Sequence, residues 1–132
     1  FTYMVLNRKP IPVHGDGLQT RTFCYITDAI DGFLRVLAKG QAGEAYNIGN
    51  DANEISMKDL AQLVVSLEGN GASYNLIPYP ESYPAGEPMR RCPDISKAKE
   101  HLNFVPQTSL QEGISRFISW CRNDPHYLAG VI

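Results

Sequence analysis

The spacing of apolar positions changes repeatedly along this chain, and each change marks an element. Residues 1–8 open with a compact apolar cluster and read as the end of a helix, closed by Pro10. Ile11, Pro12, Val13 and His14 follow as a short strand, with Gly15, Asp16 and Gly17 as a tight turn. Residues 22–26, rich in aromatic and β-branched side chains, predict a second strand. Thr27 or Asp28 is suited to cap a helix running to Lys39, with Ile30, Phe33, Leu34 and Leu37 on one face and Gly40 as its stop. Residues 44–48 read as another strand, ending at Gly49 and Asn50. Ser56 and Asp59 resemble a capping box for a helix whose apolar face is Leu60, Leu63, Val64 and Leu67.

After Gly69, Asn70 and Gly71, residues 73–77 predict one more strand. Two short strands flanking an amphipathic helix make a βαβ unit, so 44–48 and 73–77 are expected to be parallel neighbours. Residues 78–88 hold four of the nine prolines and must form a stiff loop. Asp94 is placed to cap a short helix through Leu102. Ser109 and Glu112 box the last one, with Leu110, Ile114, Phe117, Ile118 and Cys121 facing inward until Asn123 and Pro125 stop it. The alternation predicts an α/β chain of a single domain, residues 1–132.

Composition narrows the function classes. A hydrophobic content of 43% and a charged content of 20% suit an ordinary globular domain. A net charge of −2 with scattered Lys and Arg lacks the basic stripe of a nucleic-acid binder, and no apolar run reaches membrane-spanning length. Cys24, Cys92 and Cys121 are odd in number and far apart, and His14, His101 and His126 do not cluster with them. We therefore expect no disulfide framework, no metal site, no nucleic-acid or membrane partner, and a cytoplasmic location. Phe1 rather than Met opens the chain, which leads us to expect further sequence upstream.

Two segments depart from plain packing logic. The first runs from His14 to Arg21, where glycines let backbone approach a ligand and Arg21 offers a planar fork suited to phosphate. A hairpin turn with an exposed arginine accounts for the same pattern. As a dinucleotide fingerprint the stretch fails, because it reads GxGxxT and leads into a strand instead of opening a helix. The second is Met89-Arg90-Arg91-Cys92-Pro93-Asp94, paired arginines beside a helix N-terminus, which can serve an anion or simply be a solvated surface. Trp120 reads as packing, Cys24 as a strand residue with nothing nearby to lower its pKa, and Asp51 to Glu54 lacks the spacing of a calcium loop.

The run from Pro12 to Asp28 resembles P-x-V-Y-G-D-G-x-Q-T-R-x-F-x-Y-V-x-D of the extended short-chain dehydrogenase/reductase family, with His14 in place of the usual tyrosine. Glu44-Ala45-Tyr46-Asn47-Ile48-Gly49 resembles its G-E-x-Y-N-L-G strand. Arg91-Cys92-Pro93-Asp94-Ile95 with Lys97-Ala98, and later Leu110 to Gly113, is most similar to the UDP-glucuronate decarboxylase branch. The resemblance implies the C-terminal, substrate-binding part of an extended Rossmann-type enzyme: a short parallel βαβ unit, a small strand pair and C-terminal helices. It implies a nucleotide-sugar (UDP-sugar) ligand held by Pro12, Val13, His14, Gly17, Gln19, Arg21 and Arg91. Arg21 would lie on the pyrophosphate, and Arg91 near the phosphates or the reacting sugar, in a catalytic role. The family's GxxGxxG turn for NAD and its Tyr-x-x-x-Lys pair do not occur in this sequence. NAD would then be bound by an N-terminal domain outside it, and the full-length enzyme, a decarboxylase, dehydratase or epimerase, would form the homodimer common in the family. A binding module that kept the fold without turnover is the reading from another class.

Overall fold

Serine side chains start two of the helices in the computed structural model, which describes residues 1–52, 54–82 and 88–128. The chain opens with α1 (Thr2–Leu6), β1 (Ile11–His14), β2 (Thr20–Arg21) and α2 (Ile26–Lys39). Next come β3 (Ile55–Ser56), α3 (Met57–Glu68), β4 (Tyr74–Ile77) and β5 (Arg90–Arg91). Three helices close it: α4 (Ser96–Leu102), α5 (Leu110–Asn123) and α6 (Pro125–Leu128). Ser56 Oγ accepts the Asp59 amide at 3.0 Å to start α3, and Gly69, left-handed at φ 66°, ends it. Ser109 Oγ accepts the Glu112 amide at 3.2 Å to start α5.

The α/β class stands as expected, but the strand pairing differs. β4 is parallel to β1, with Ile11 opposite Tyr74 and His14 opposite Ile77, and not to residues 44–48. β1 outcompetes 44–48 because its alternate residues Ile11 and Val13 are almost fully buried against α1 and α3. Residues 44–48 form no strand. Their side chains serve local contacts instead: the Asn47 amide donates to the Asp94 carbonyl at 3.0 Å, the Tyr46 hydroxyl meets His101 Nδ1 at 3.3 Å, and Ile48 packs over Gly32.

Residues 22–26 are also not a strand. Only Thr20 and Arg21 find backbone partners, antiparallel to β3 and parallel to β5, in a second sheet ordered β3-β2-β5. Beyond them the chain leaves the sheet and α2 begins at Ile26, earlier than Thr27 or Asp28 would start it as caps. Asp28 is instead a buried acceptor for the backbone amides of Gln107 (3.2 Å) and Thr108 (2.8 Å), tying α2 to the approach to α5. The predicted loop at 78–88 includes residues 83–87, which lie outside the described residues.

Two apolar clusters hold the fold. The larger joins α1, β1, α3 and α5 through Val5, Ile11, Val13, Leu60, Val64 and Ile118. The smaller joins α4 to α2 through Ile95, Ala98, Leu102 and Phe104, with Val36, Tyr46 and Ile48 against it. The apolar face of α2 turns outward, and so does Phe117 of the α5 face expected inward. Ile30, Phe33, Leu34 and Leu37 of α2 are 49–85% exposed, because α2 buries the opposite side, around Asp28 and Gly32. Phe117 is also exposed and stacks on Trp120 at 5.8 Å.

Candidate functional site

A cavity of about 730 Å³ opens beside the three-stranded sheet, within the range of small-molecule sites. Arg21, Thr22 and Cys24 form one wall, Ile48 to Asn50 a second, and Arg90 to Pro93 a third. Arg21 and Arg91 are register partners across the parallel β2–β5 pair, so residues seventy positions apart stand side by side. The Thr20 amide donates to the Met89 carbonyl at 2.7 Å and fixes that pairing. One arm of the Arg21 guanidinium donates to the carbonyls of Thr20 (2.7 Å) and Met89 (3.4 Å), which orients the group at the cavity wall.

Basic side chains are concentrated at the cavity wall. Three guanidinium groups line the cavity, and one of them, Arg90, is engaged by the Glu54 carboxylate through its Nε (2.9 and 3.0 Å) and Nη2 (2.8 Å). That contact holds Glu54 below the usual carboxylate range and raises Arg90 further. Cys24 is pushed up, first by burial and then by the Asp28 carboxylate, so its thiol stays protonated and adds no opposing charge. Next along the chain from Pro93, Asp94 Oδ1 accepts the Ser96 amide at 2.8 Å, and hydrogen bonding from the Ser96 side chain and then its amide lowers the Asp94 carboxyl.

The other sequence-predicted site residues lie elsewhere. Val13 is part of the larger core at 1% exposure, and Pro12 is exposed on the same strand. His14 stands against Tyr79, ring centroids 5.7 Å apart. Gly17 is buried with φ 72°, and a Cβ there would lie 2.8 Å from Val13 and 2.9 Å from Lys58. Gln19 is buried; its amide donates to the His14 carbonyl at 3.3 Å while Oε1 has no hydrogen-bond partner among the described residues. Together these residues build the turn that carries the chain from the first sheet to the second. Sequence reasoning missed Glu54, because a lone carboxylate before a helix cap carries no local signal, and Thr22, Ile48 and Asn50, which arrive by tertiary folding.

A second groove, about 790 Å³, is apolar and lies between Phe23 and Tyr25 on one side and Leu60, Ile114, Phe117 and Trp120 on the other. The aromatic residues that suggested a strand at 22–26 line this groove. Among the described residues there is no group of three or more metal-ligating side chains, and no helix long and apolar enough to cross a membrane.

Comparison with known proteins gives this geometry a family. Residues 2–117 match the family model described as GDP-mannose 4,6 dehydratase. The chain is 37% identical over 123 residues to UDP-glucuronic acid decarboxylase 1 of Arabidopsis thaliana, covering 93% of itself and 27% of that protein. It is 35% identical over 130 residues to human dTDP-D-glucose 4,6-dehydratase, covering 96% of itself and 36% of the relative. Among solved structures it is similar to the dTDP-glucose 4,6-dehydratase DesIV of Streptomyces venezuelae with NAD bound, at TM-score 0.86 and 26% identity over 99% of this chain and 39% of that one. It is also similar to UDP-glucuronic acid 4-epimerase of Bacillus cereus in complex with UDP-glucuronic acid and NAD, at TM-score 0.76 and 34% identity over 90% of this chain and 38% of that one. The chain thus spans between a quarter and two fifths of these relatives. It belongs to the extended short-chain dehydrogenase/reductase family of nucleotide-sugar decarboxylases, dehydratases and epimerases, and corresponds to that family's C-terminal region.

Proposed function

We propose that this chain is the nucleotide-sugar-binding portion of an NAD-dependent enzyme of UDP-glucuronate decarboxylase type. The observation that carries the reading is the side-by-side placement of Arg21 and Arg91 at one cavity. Two planar guanidinium groups on adjacent strands suit a diphosphate with a sugar beyond it. Arg21, braced against backbone carbonyls, holds the pyrophosphate, and Arg91 reaches toward the sugar. The turn from Pro12 through His14 and Gly17 to Gln19 sets the position of Arg21 from behind. The decarboxylase assignment rests on Arg91-Cys92-Pro93-Asp94-Ile95 and on the 37% identity to the plant decarboxylase.

NAD does not fit the turn at Gly15-Asp16-Gly17. Gly15-Asp16-Gly17 leads into β2 and not into a helix N-terminus, so it lacks the strand-turn-helix geometry that cradles a dinucleotide pyrophosphate. Hydride chemistry would come from NAD held by a further domain of the polypeptide. The exposed apolar side of α2 and the unpaired segment 44–48 support this, since together they form a helix and a strand-competent segment with no layer over them. The role left to this chain is to bind and orient the substrate. Phosphate contacts act equally in ground and transition states, so they set affinity more than turnover.

Steady-state kinetics of the full-length enzyme on UDP-glucuronate test the reading. Arg21→Ala removes a charge-assisted phosphate contact worth about 1.5–3 kcal/mol, so KM rises about 10- to 150-fold with kcat little changed. Arg91→Ala lowers kcat as well, because a contact at the reacting sugar strengthens in the transition state. Wild-type constants in both variants would remove the cavity from the mechanism. The coding sequence upstream of Phe1 supplies an independent test: an intact GxxGxxG and Tyr-x-x-x-Lys support the enzyme, and their absence supports a binding module without turnover.

A further inference from the structure

We propose that Glu54 is a positioning residue for the nucleotide-sugar site, acting through Arg90 and Thr20 to hold the two cavity arginines in register; this rests on the function proposed above. Glu54 touches three of the elements that meet there. It immediately precedes β3, its carboxylate takes both Nε and Nη2 of Arg90 on β5, and it accepts the Thr20 hydroxyl from β2. Thr20 and Arg90 are themselves register partners, directly preceding the partners Arg21 and Arg91. One carboxylate therefore spans the rung next to the one that carries the ligand-facing pair.

The sheet needs such a clamp. β2, β3 and β5 are each two residues long, and two-residue pairings leave register weakly specified by backbone hydrogen bonds alone. β5 also follows directly on a proline-rich stretch. A slip of one residue would exchange Arg91 for Arg90 or Cys92 opposite Arg21. The fork-to-carboxylate geometry resists the slip that would bring Arg90 opposite Arg21, because Met89 would then stand where Arg90 offers two parallel donors to two oxygens, and Met89 has none.

The test compares Glu54→Ala, Glu54→Gln, Thr20→Val and Arg21→Ala in the full-length enzyme, with Glu112→Ala as a control. Glu112→Ala removes an exposed ion pair to Arg116 remote from the cavity. The readouts are KM and kcat on UDP-glucuronate and the Kd of UDP by isothermal titration. Positioning predicts that Glu54→Ala raises KM and the UDP Kd on the order of tenfold with kcat within threefold of wild type. Glu54→Gln, which keeps one acceptor for Arg90 but loses the charge and the second parallel bond, recovers only part of that loss. Thr20→Val gives a smaller change in the same direction. In the double variant Glu54→Ala/Arg21→Ala, KM stays close to that of Arg21→Ala alone, since both act on one contact. Should Glu54→Ala fail to fold, Glu54→Gln and Thr20→Val carry the comparison, and wild-type UDP affinity in both would overturn the proposal. A Glu54→Ala effect no larger than that of Glu112→Ala, with Arg21→Ala still impaired, overturns the positioning role and leaves the site standing. Unchanged UDP affinity in Arg21→Ala overturns the site and the role of Glu54 with it.

Discussion

Asp28→Ala probes the joint between the two apolar clusters. The Asp28 side chain is 9% exposed and accepts two backbone amides from the segment entering α5, Thr108 at 2.8 Å and Gln107 at 3.2 Å. Thr108 is equally buried, so truncating the carboxylate strands its N–H away from water. A hydrogen bond to a charged acceptor is worth about 1.5–3 kcal/mol, and the longer Gln107 contact adds less. Asp28 also sits in the first turn of α2, where a negative charge meets the helix dipole, adding about 0.3–1 kcal/mol. The expected loss is about 2–4 kcal/mol in Asp28→Ala. Asp28→Asn keeps an acceptor oxygen and loses only the charge, so it costs about half as much. Urea denaturation of this chain, followed by far-ultraviolet circular dichroism, measures both. With a slope of about 1–3 kcal/mol per molar, the alanine midpoint falls by at least ~0.7 M. A change below about 0.5 kcal/mol for alanine, or asparagine as costly as alanine, would refute the assignment of these two bonds.

Three further outcomes can be checked on the same protein. Phe104→Ala empties the centre of the smaller cluster and costs about 3–5 kcal/mol by urea melt, whereas Phe117→Ala, on an exposed face, costs far less. Gly15→Ala is destabilising by more than 1 kcal/mol, because φ is +67° and a new Cβ would lie 2.6 Å from the Tyr79 ring; Tyr79→Ala in the same chain recovers only the steric part. The Arg90 contact depresses the Glu54 carboxyl below its ordinary 4.5, so its contribution is complete above that value and disappears as pH falls through the lower folded value. A pH titration followed by the Glu54 side-chain carbon resonance should therefore show a midpoint below 4.5, moving back up in Arg90→Met.

Where the signal is local, the sequence and the structure agree. Ser56 and Ser109 start α3 and α5 as their capping chemistry requires, Gly69 ends α3, and Ile11–His14 is a strand at the predicted residues. Disagreements begin where a second element decides. Residues 44–48 carry strand propensity, but a strand is a pairing, and β1 holds the position beside β4. The apolar stripe on α2 was legible as a stripe, yet its direction was not: Gly32, which lets Ile48 and Phe104 approach the helix, marks the buried side better than the larger residues do. A Cβ at Gly32 would lie 2.5 Å from Ile48. Asp28 looked like a cap for its own helix and instead serves the amides of 107 and 108, about eighty positions away.

The candidate site divides along the same line. Arg21 and Arg91 were nameable because each stands in a segment whose chemistry exceeds what packing needs, a glycine-bearing polar turn and an arginine pair before a helix. Their juxtaposition, however, depends on a two-residue parallel pairing that no periodicity can reveal, since two residues contain no period. The same brevity makes Glu54 invisible in sequence and consequential in structure. A long strand specifies its register by many backbone bonds and an alternating buried face. A two-residue strand has neither, so the specification passes to side chains, and here to one carboxylate that reaches both neighbouring strands. Under the proposed function, Arg21 and Arg91 would therefore depend for their alignment on Glu54, which bridges the rung beside theirs.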